Sequence, residues 1–138
     1  MNVTELFDIA GRTAIVTGGA GKYGKDIVSA LLEVGCRVII ASRNLEKLEA
    51  TKAAFGEKGY TDIACYRLDL SETASIDAFV EQVYQDYGEI DILVNNSVVH
   101  TMKGFDGDIA GWEASLQVNA TGAFYLTRAV GNRMAAAG

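Results

Sequence analysis

The sequence predicts an α/β domain, a doubly wound parallel sheet in three α/β/α layers, with strand order 3-2-1-4 in the portion present. Short apolar runs rich in β-branched residues alternate with amphipathic segments four times along the chain. The connections between them are short, which favours parallel strands joined by crossover helices on both faces of one sheet. The first strand ends in a glycine cluster, Thr17-Gly18-Gly19-Ala20-Gly21-Lys22-Tyr23-Gly24, followed at once by a helical pattern. Strand, glycine turn and helix form an arrangement in which backbone approaches a pyrophosphate and helix amides point at it.

Residues 1–11 read as a lead-in, with Leu6, Phe7 and Ile9 expected to pack under the first strand. That strand is placed at Arg12–Thr17. Ile27, Val28, Leu31 and Leu32 fall at helical spacing, so a helix is expected over Lys22–Val34, closed by Gly35. Cys36–Ala41 is a continuous apolar run, suited to a strand buried on both faces. Asn44 is the expected cap of a second helix, carrying Leu45, Leu48 and Phe55 and ending near Gly56–Gly59.

The third strand is expected over Ile63–Leu68. Ser71 is read as the cap of a third helix, whose Ile76, Phe79, Val80, Val83, Tyr84 and Tyr87 form an apolar stripe ending at Gly88. Ile90–Val94 is the fourth strand and leads into Asn95-Asn96-Ser97. A polar loop covers about 98–107, and Asp108 is the expected cap of a long last helix reaching about Ala136. Trp112, Leu116, Ala123 and Val130 mark that helix's apolar stripe. Asn119 falls on the same stripe, where a buried amide needs partners. Gly122, one turn on, loosens the helix at a cost of about 1 kcal/mol relative to alanine.

Composition narrows the function. The 138 residues suffice for one domain with a real core, and the net charge of −6 argues against nucleic acid as the main partner. No apolar run is long enough to span a bilayer, and the N-terminus shows no signal-peptide pattern, so a soluble cytoplasmic protein is expected. Cys36 and Cys65 fall in predicted strands and read as small buried thiols; no metal-ligand spacing is present. The lone His100 is expected on the surface or at a pocket rim.

With strand order 3-2-1-4, a crevice opens at the carboxyl ends of strands one and four, where the order reverses. Gly18, Gly21, Lys22, Tyr23 and Gly24 lie at the first strand end. At the second, Ser42-Arg43-Asn44 stands where a carboxylate would bind both ribose hydroxyls and repel a 2′-phosphate. A guanidinium instead pairs with phosphate, with Ser42 adding a hydrogen bond and Lys22 a second cation nearby. NADP(H) is therefore favoured over NAD(H). At the third strand end, Asp69 and Leu70 are candidates for contact with the adenine, and a turn-making role beside Ser71 is an equal reading of Asp69. Asn95-Asn96 after strand four can close the strand end and leave a backbone surface against the ribose, and Asn96 and Ser97 are candidates for the cofactor site. A satisfied polar contact to a neighbouring loop is the structural alternative for Asn119.

From Gly11 to Gly138 the chain resembles the short-chain dehydrogenase/reductase family. The resemblance rests on Thr17 to Gly24, on Asp69-Leu70, on Gly88-Glu89-Ile90-Asp91-Ile92-Leu93-Val94-Asn95-Asn96 and on Asn119-Ala120-Thr121-Gly122. It departs from the family's compact branch in having Lys22 in place of a glycine and Ser97-Val98 in place of Ala-Gly. The glycine spacing matches the extended branch instead.

The resemblance implies a Rossmann-type NAD(P)-binding domain over residues 1–138, incomplete at its C-terminal side, with strand five onward absent. It implies hydride transfer between a nicotinamide and a carbonyl or alcohol substrate of the sugar, polyol or 3-oxoacyl class. It also implies a homo-oligomer, and a catalytic part for Asn119 in organising a proton relay. The serine, tyrosine and lysine that complete the family's catalytic set have no counterpart here: Tyr125 is followed by Leu126, Thr127, Arg128 and Ala129, not by a lysine four residues on. The chain alone is thus expected to be inactive, with Ile90–Val94 an exposed, aggregation-prone edge. A non-catalytic dinucleotide-binding or sensor module is the rival reading, separated from the first by whether the native downstream sequence holds that serine and Tyr-x-x-x-Lys pair.

Overall fold

The computed structural model describes residues 1–138. Its elements run α1 (Val3–Leu6), β1 (Thr13–Thr17), α2 (Lys22–Glu33), β2 (Arg37–Ser42), α3 (Leu45–Glu57), β3 (Ile63–Arg67), α4 (Thr73–Tyr87), β4 (Ile92–Val94), α5 (Ile109–Leu116), a π-helical turn (Gln117–Gly122) and α6 (Ala123–Ala137). The four strands form one sheet in the order β3-β2-β1-β4, and every pairing is parallel. No helix is long and apolar enough to cross a membrane.

Successive strand residues point to opposite faces, so the continuous apolar runs feed two cores at once. Ile15 and Ile39 face α4 and α6, where Ile76, Phe79, Val83, Leu126 and Val130 complete one core. Val16, Val38 and Ile40 face the other side, with Val28 and Leu32 of α2 and Leu48 and Phe55 of α3. All of β1 is buried. Its outer neighbour β4 is half-buried and lies at the sheet edge.

The helix ends follow capping chemistry in part. The Asn44 side chain accepts from the Lys47 amide at 3.0 Å, and Asp108 accepts from Ala110 at 3.2 Å. Gly88 ends α4 at φ 78°. Ser71 does not cap α4: Glu72 holds that position without a side-chain bond, because the Ser71 hydroxyl is already committed to Asp69 at 2.6 Å.

Three other expectations need correction. Leu6 and Phe7 are exposed because α1 is a four-residue helix closed by its own capping box and buries no residue; only Ile9 packs against the core. The fourth strand begins at Ile92, although Ile90 is buried before it. Cys36 lies one residue ahead of β2, buried, with its thiol donating to the Ile9 carbonyl at 3.3 Å. Burial pushes both thiols up, Cys65 to about 11. His100 is on the surface, as expected.

The last helix is continuous but changes phase. Trp112 and Leu116 are exposed, whereas Gly122, Leu126 and Val130 are buried. The π turn accommodates one residue more than an α-turn, so an apolar stripe read at a single period cannot run through it. Gly122 is the last residue of that turn. A Cβ at that position would lie 2.0 Å from the Leu70 carbonyl oxygen, so glycine lets the helix backbone reach the loop after β3.

Ordinarily alanine in place of a helical glycine gains about 1 kcal/mol. Here the sign reverses: Gly122→Ala is expected to lose about 2 kcal/mol, the scale of overpacking a closed core. Urea unfolding measures it, and a variant as stable as the parent or more stable would contradict the contact.

Candidate functional site

Every strand points its carboxyl end at one edge of the sheet, and there a cavity of about 830 Å³ opens. Its position follows from one buried hydroxyl. Thr17, the last residue of β1, is fully buried. Its Oγ1 accepts from the amides of Asn96 and Ser97, each at 3.0 Å, and donates to the Val94 carbonyl at 3.4 Å. A threonine hydroxyl has one proton and two lone pairs, and all are used. The loop leaving β4 is thereby pinned beside the turn leaving β1.

The glycine turn is built on a second close contact. The Gly18 carbonyl accepts from the Gly21 amide at 3.0 Å and from Asn96 Nδ2 at 3.2 Å. A Cβ at Gly24 would lie 2.1 Å from that same oxygen. The start of α2 can therefore seat on the end of β1 only with glycine at 24. Gly21 is the N-cap of α2 and offers no side-chain cap. The amides of Lys22, Tyr23 and Gly24 are left without intrahelical partners at the positive end of the helix dipole.

All eleven residues expected at a cofactor site line this one cavity: Gly18, Gly21, Lys22, Tyr23 and Gly24 from the first turn, Ser42 and Arg43 after β2, Asp69 and Leu70 after β3, and Asn96 and Ser97 after β4. The wall also includes residues that the sequence reading passed over. Lys47, one turn into α3, adds a third cation to Lys22 and Arg43, and none of the three is in an ion pair. The helical spacing of Lys47 after Asn44 was the available signal. Val98, Val99 and Val118 form the apolar end of the wall beyond β4.

Asp69 is the one carboxylate in the lining. Its Oδ1 accepts from the Ser71 amide at 2.9 Å and from the Ser71 hydroxyl at 2.6 Å. The hydroxyl bond holds the carboxyl below its ordinary range against the opposing effect of burial, helped by the Ser71 amide and by the charges of Arg43 and Arg67. The turn-making role of Asp69 is thus realised, in a residue that also faces the cavity.

Asn119 takes the structural alternative, a satisfied polar contact to a neighbouring loop. It is exposed rather than buried, and it does not line the cavity. Its amide is satisfied by one residue: Oδ1 accepts from the Val99 amide at 2.9 Å and Nδ2 donates to the Val99 carbonyl at 2.7 Å. The side chain acts as a strand-like partner for the loop after β4 and touches the cavity through Val99. Asn95 turns the other way, donating to Thr127 Oγ1 on α6 at 3.0 Å.

A parallel sheet of this order, with a glycine turn and an open cavity at its carboxyl edge, is a Rossmann-type doubly wound α/β fold. The family described as short chain dehydrogenase matches residues 12–138. The chain belongs to that family. It is similar to the D-threitol dehydrogenase of Mycolicibacterium smegmatis, 35% identical over 135 residues, covering 96% of this chain and 51% of that protein.

Among solved structures, the Pseudomonas aeruginosa RhlG/NADP active-site complex is similar with a TM-score of 0.82 at 32% identity, over 90% of this chain and 48% of that one. An NAD+-bound xylitol dehydrogenase is similar with a TM-score of 0.84 at 29% identity, over 93% and 50%. The chain spans about half the length of the curated relatives it matches. Both an NADP complex and an NAD+ complex are among these structures.

Two tests address the geometry. Thr17→Val keeps the volume and removes the hydroxyl, leaving two amides without their acceptor; at about 1–3 kcal/mol for each unsatisfied group, a loss of about 2–6 kcal/mol in chemical denaturation is expected. Thr17→Ser should recover most of it, and unchanged stability in the valine variant would refute the pin.

The second test follows the sign of the Asp69 shift. A carboxyl held below its unfolded pKa stabilises the fold above that pKa and loses the contribution as pH falls through the folded value. Ser71→Ala should therefore raise the Asp69 titration midpoint and move acid unfolding to higher pH. Carboxyl NMR checks this, and an unmoved midpoint would contradict the assigned cause.

Proposed function

We propose that the protein is an oxidoreductase using NADP(H) in preference to NAD(H), acting on a carbonyl or alcohol of the sugar or polyol class. The observation that carries this reading is the charge pattern of the cavity: Lys22, Arg43 and Lys47 stand outside any ion pair around the ends of β1 and β2, and the lining holds no carboxylate at the β2 end. An acid at that strand end would repel a 2′-phosphate, whereas a guanidinium pairs with it bidentately.

The remaining roles follow the same frame. The unpartnered amides of Lys22, Tyr23 and Gly24 would receive the diphosphate, and the glycine cradle at Gly18, Gly21 and Gly24 leaves backbone open to it. Ser42 and Arg43 would hold the 2′-phosphate. Asp69 and Leu70 would meet the adenine, and Asn96 and Ser97 the ribose on the β4 side. When bound, the nicotinamide supplies a hydride to the substrate carbon or takes one from it. Asn119 holds Val99 and so shapes the loop on that side; its assigned part in a proton relay belongs to this reading.

The polyol assignment is supported by relatives named for D-threitol and xylitol. The 3-oxoacyl class is the other substrate group within this reading.

NADPH and NADH titrations of the full-length protein, followed by nicotinamide fluorescence, test it. NADPH should bind more tightly. Arg43→Asp should reverse the order, weakening NADPH roughly 10- to 100-fold, the scale of losing one charge-assisted pair at about 1.5–3 kcal/mol. Equal affinities in the unmutated protein would overturn the assignment to Arg43.

A further inference from the structure

Beyond β4 the chain runs beside α5 and the π turn, and two side chains four residues apart hold it there. Asn119 takes both polar groups of Val99. Ser115, four residues earlier and on the same helix face, accepts from the Thr101 amide at 3.2 Å, and its Oγ lies 2.7 Å from Thr101 Oγ1. The Thr101 hydroxyl also donates to the Gly111 carbonyl. A Cβ at Gly111 would lie 3.0 Å from the Thr101 carbonyl oxygen and 3.1 Å from the Met102 Cα, so the loop and α5 are already in close backbone contact. Two side chains thus act as a short edge strand for residues 99–101. The held segment starts at Val99, which together with its neighbour Val98 walls the cavity on the side of β1 opposite Arg43.

We propose that Ser115 and Thr101 are positioning residues, a hydroxyl clamp that sets the cavity wall at the end remote from Arg43. The proposal rests on the reading above, in which that end receives the nicotinamide and the substrate. A misplacement of this wall would leave the adenosine end untouched, so its signature separates chemistry from affinity.

The test uses the full-length protein with Ser115→Ala, Thr101→Val and Thr101→Ser. In the first two, NADPH affinity should stay within about twofold, the emission of bound NADPH should shift, and kcat for xylitol oxidation should fall about tenfold, a modest share of what a misplaced wall can cost. Thr101→Ser keeps the hydroxyl and should restore both signals. Unchanged emission and kcat would overturn the proposal even if the melting temperature drops. If Ser115→Ala does not fold, Thr101→Val removes the same pair from the loop side and decides the matter.

A parent protein that fails to bind NADPH would refute the cofactor reading instead. Amide exchange then reads the clamp by itself: the Thr101 amide should exchange faster in Ser115→Ala, and equal protection would refute the clamp. A parent that binds NADPH but leaves xylitol unreacted would refute the polyol assignment alone, and the emission shift would decide the proposal.

Discussion

The architecture of the site depends on a hydroxyl that sees no solvent. Thr17 satisfies two amides of the loop after β4 and one carbonyl of β4 itself. Parallel neighbours in a sheet have no short turn to set how their exits diverge. Here the divergence is set by hydrogen bonds at the last residue of β1. Asn96, held by its backbone, then directs its side chain to the Gly18 carbonyl, the oxygen against which Gly24 is packed. The β1 exit, the α2 start and the β4 exit therefore meet at one point, and the cavity is the space left between them.

Charge is distributed across that space unevenly. Lys22, Arg43 and Lys47 gather on the β2 side, the Val98–Val99 wall lies on the β4 side, and Asp69 sits at β3 with its charge held by Ser71. An elongated ligand with an anionic middle and one flat, less polar end suits that gradient. The chain's net charge is −6, so the cationic rim runs against its overall balance and is a local feature of the site.

Most of the fold was legible because its signals are local. Apolar runs with β-branched residues marked four strands, and Asn44, Gly88 and Asp108 marked helix ends whose chemistry needs only near neighbours. The glycine cluster and the strand ends were legible for the same reason: strand order places them together once the alternation is read. Failures came where a residue had a competing partner or where periodicity changed. Ser71 looks like a cap until Asp69 takes its hydroxyl. Leu6 and Phe7 look like core, but α1 closes on itself too soon to carry them inward. Trp112 and Leu116 look aligned with Val130 until the π turn shifts their phase. Gly122 reads as a weak point in a helix, whereas its reason is the Leu70 carbonyl 52 positions earlier in the chain, a contact no local window contains. Thr17 was equally silent, since nothing in its neighbourhood tells which threonine at a strand end will accept two bonds.

We propose that a dinucleotide lies with its diphosphate on the α2 amides and its adenosine end toward Arg43. Amide chemical shifts followed during titration with NADP+ test it most directly. The account predicts that Lys22, Tyr23 and Gly24 move most, together with the Arg43 side-chain Nε, at a common midpoint. Shifts clustered away from the carboxyl edge of the sheet, with those four signals unmoved at saturation, would contradict it.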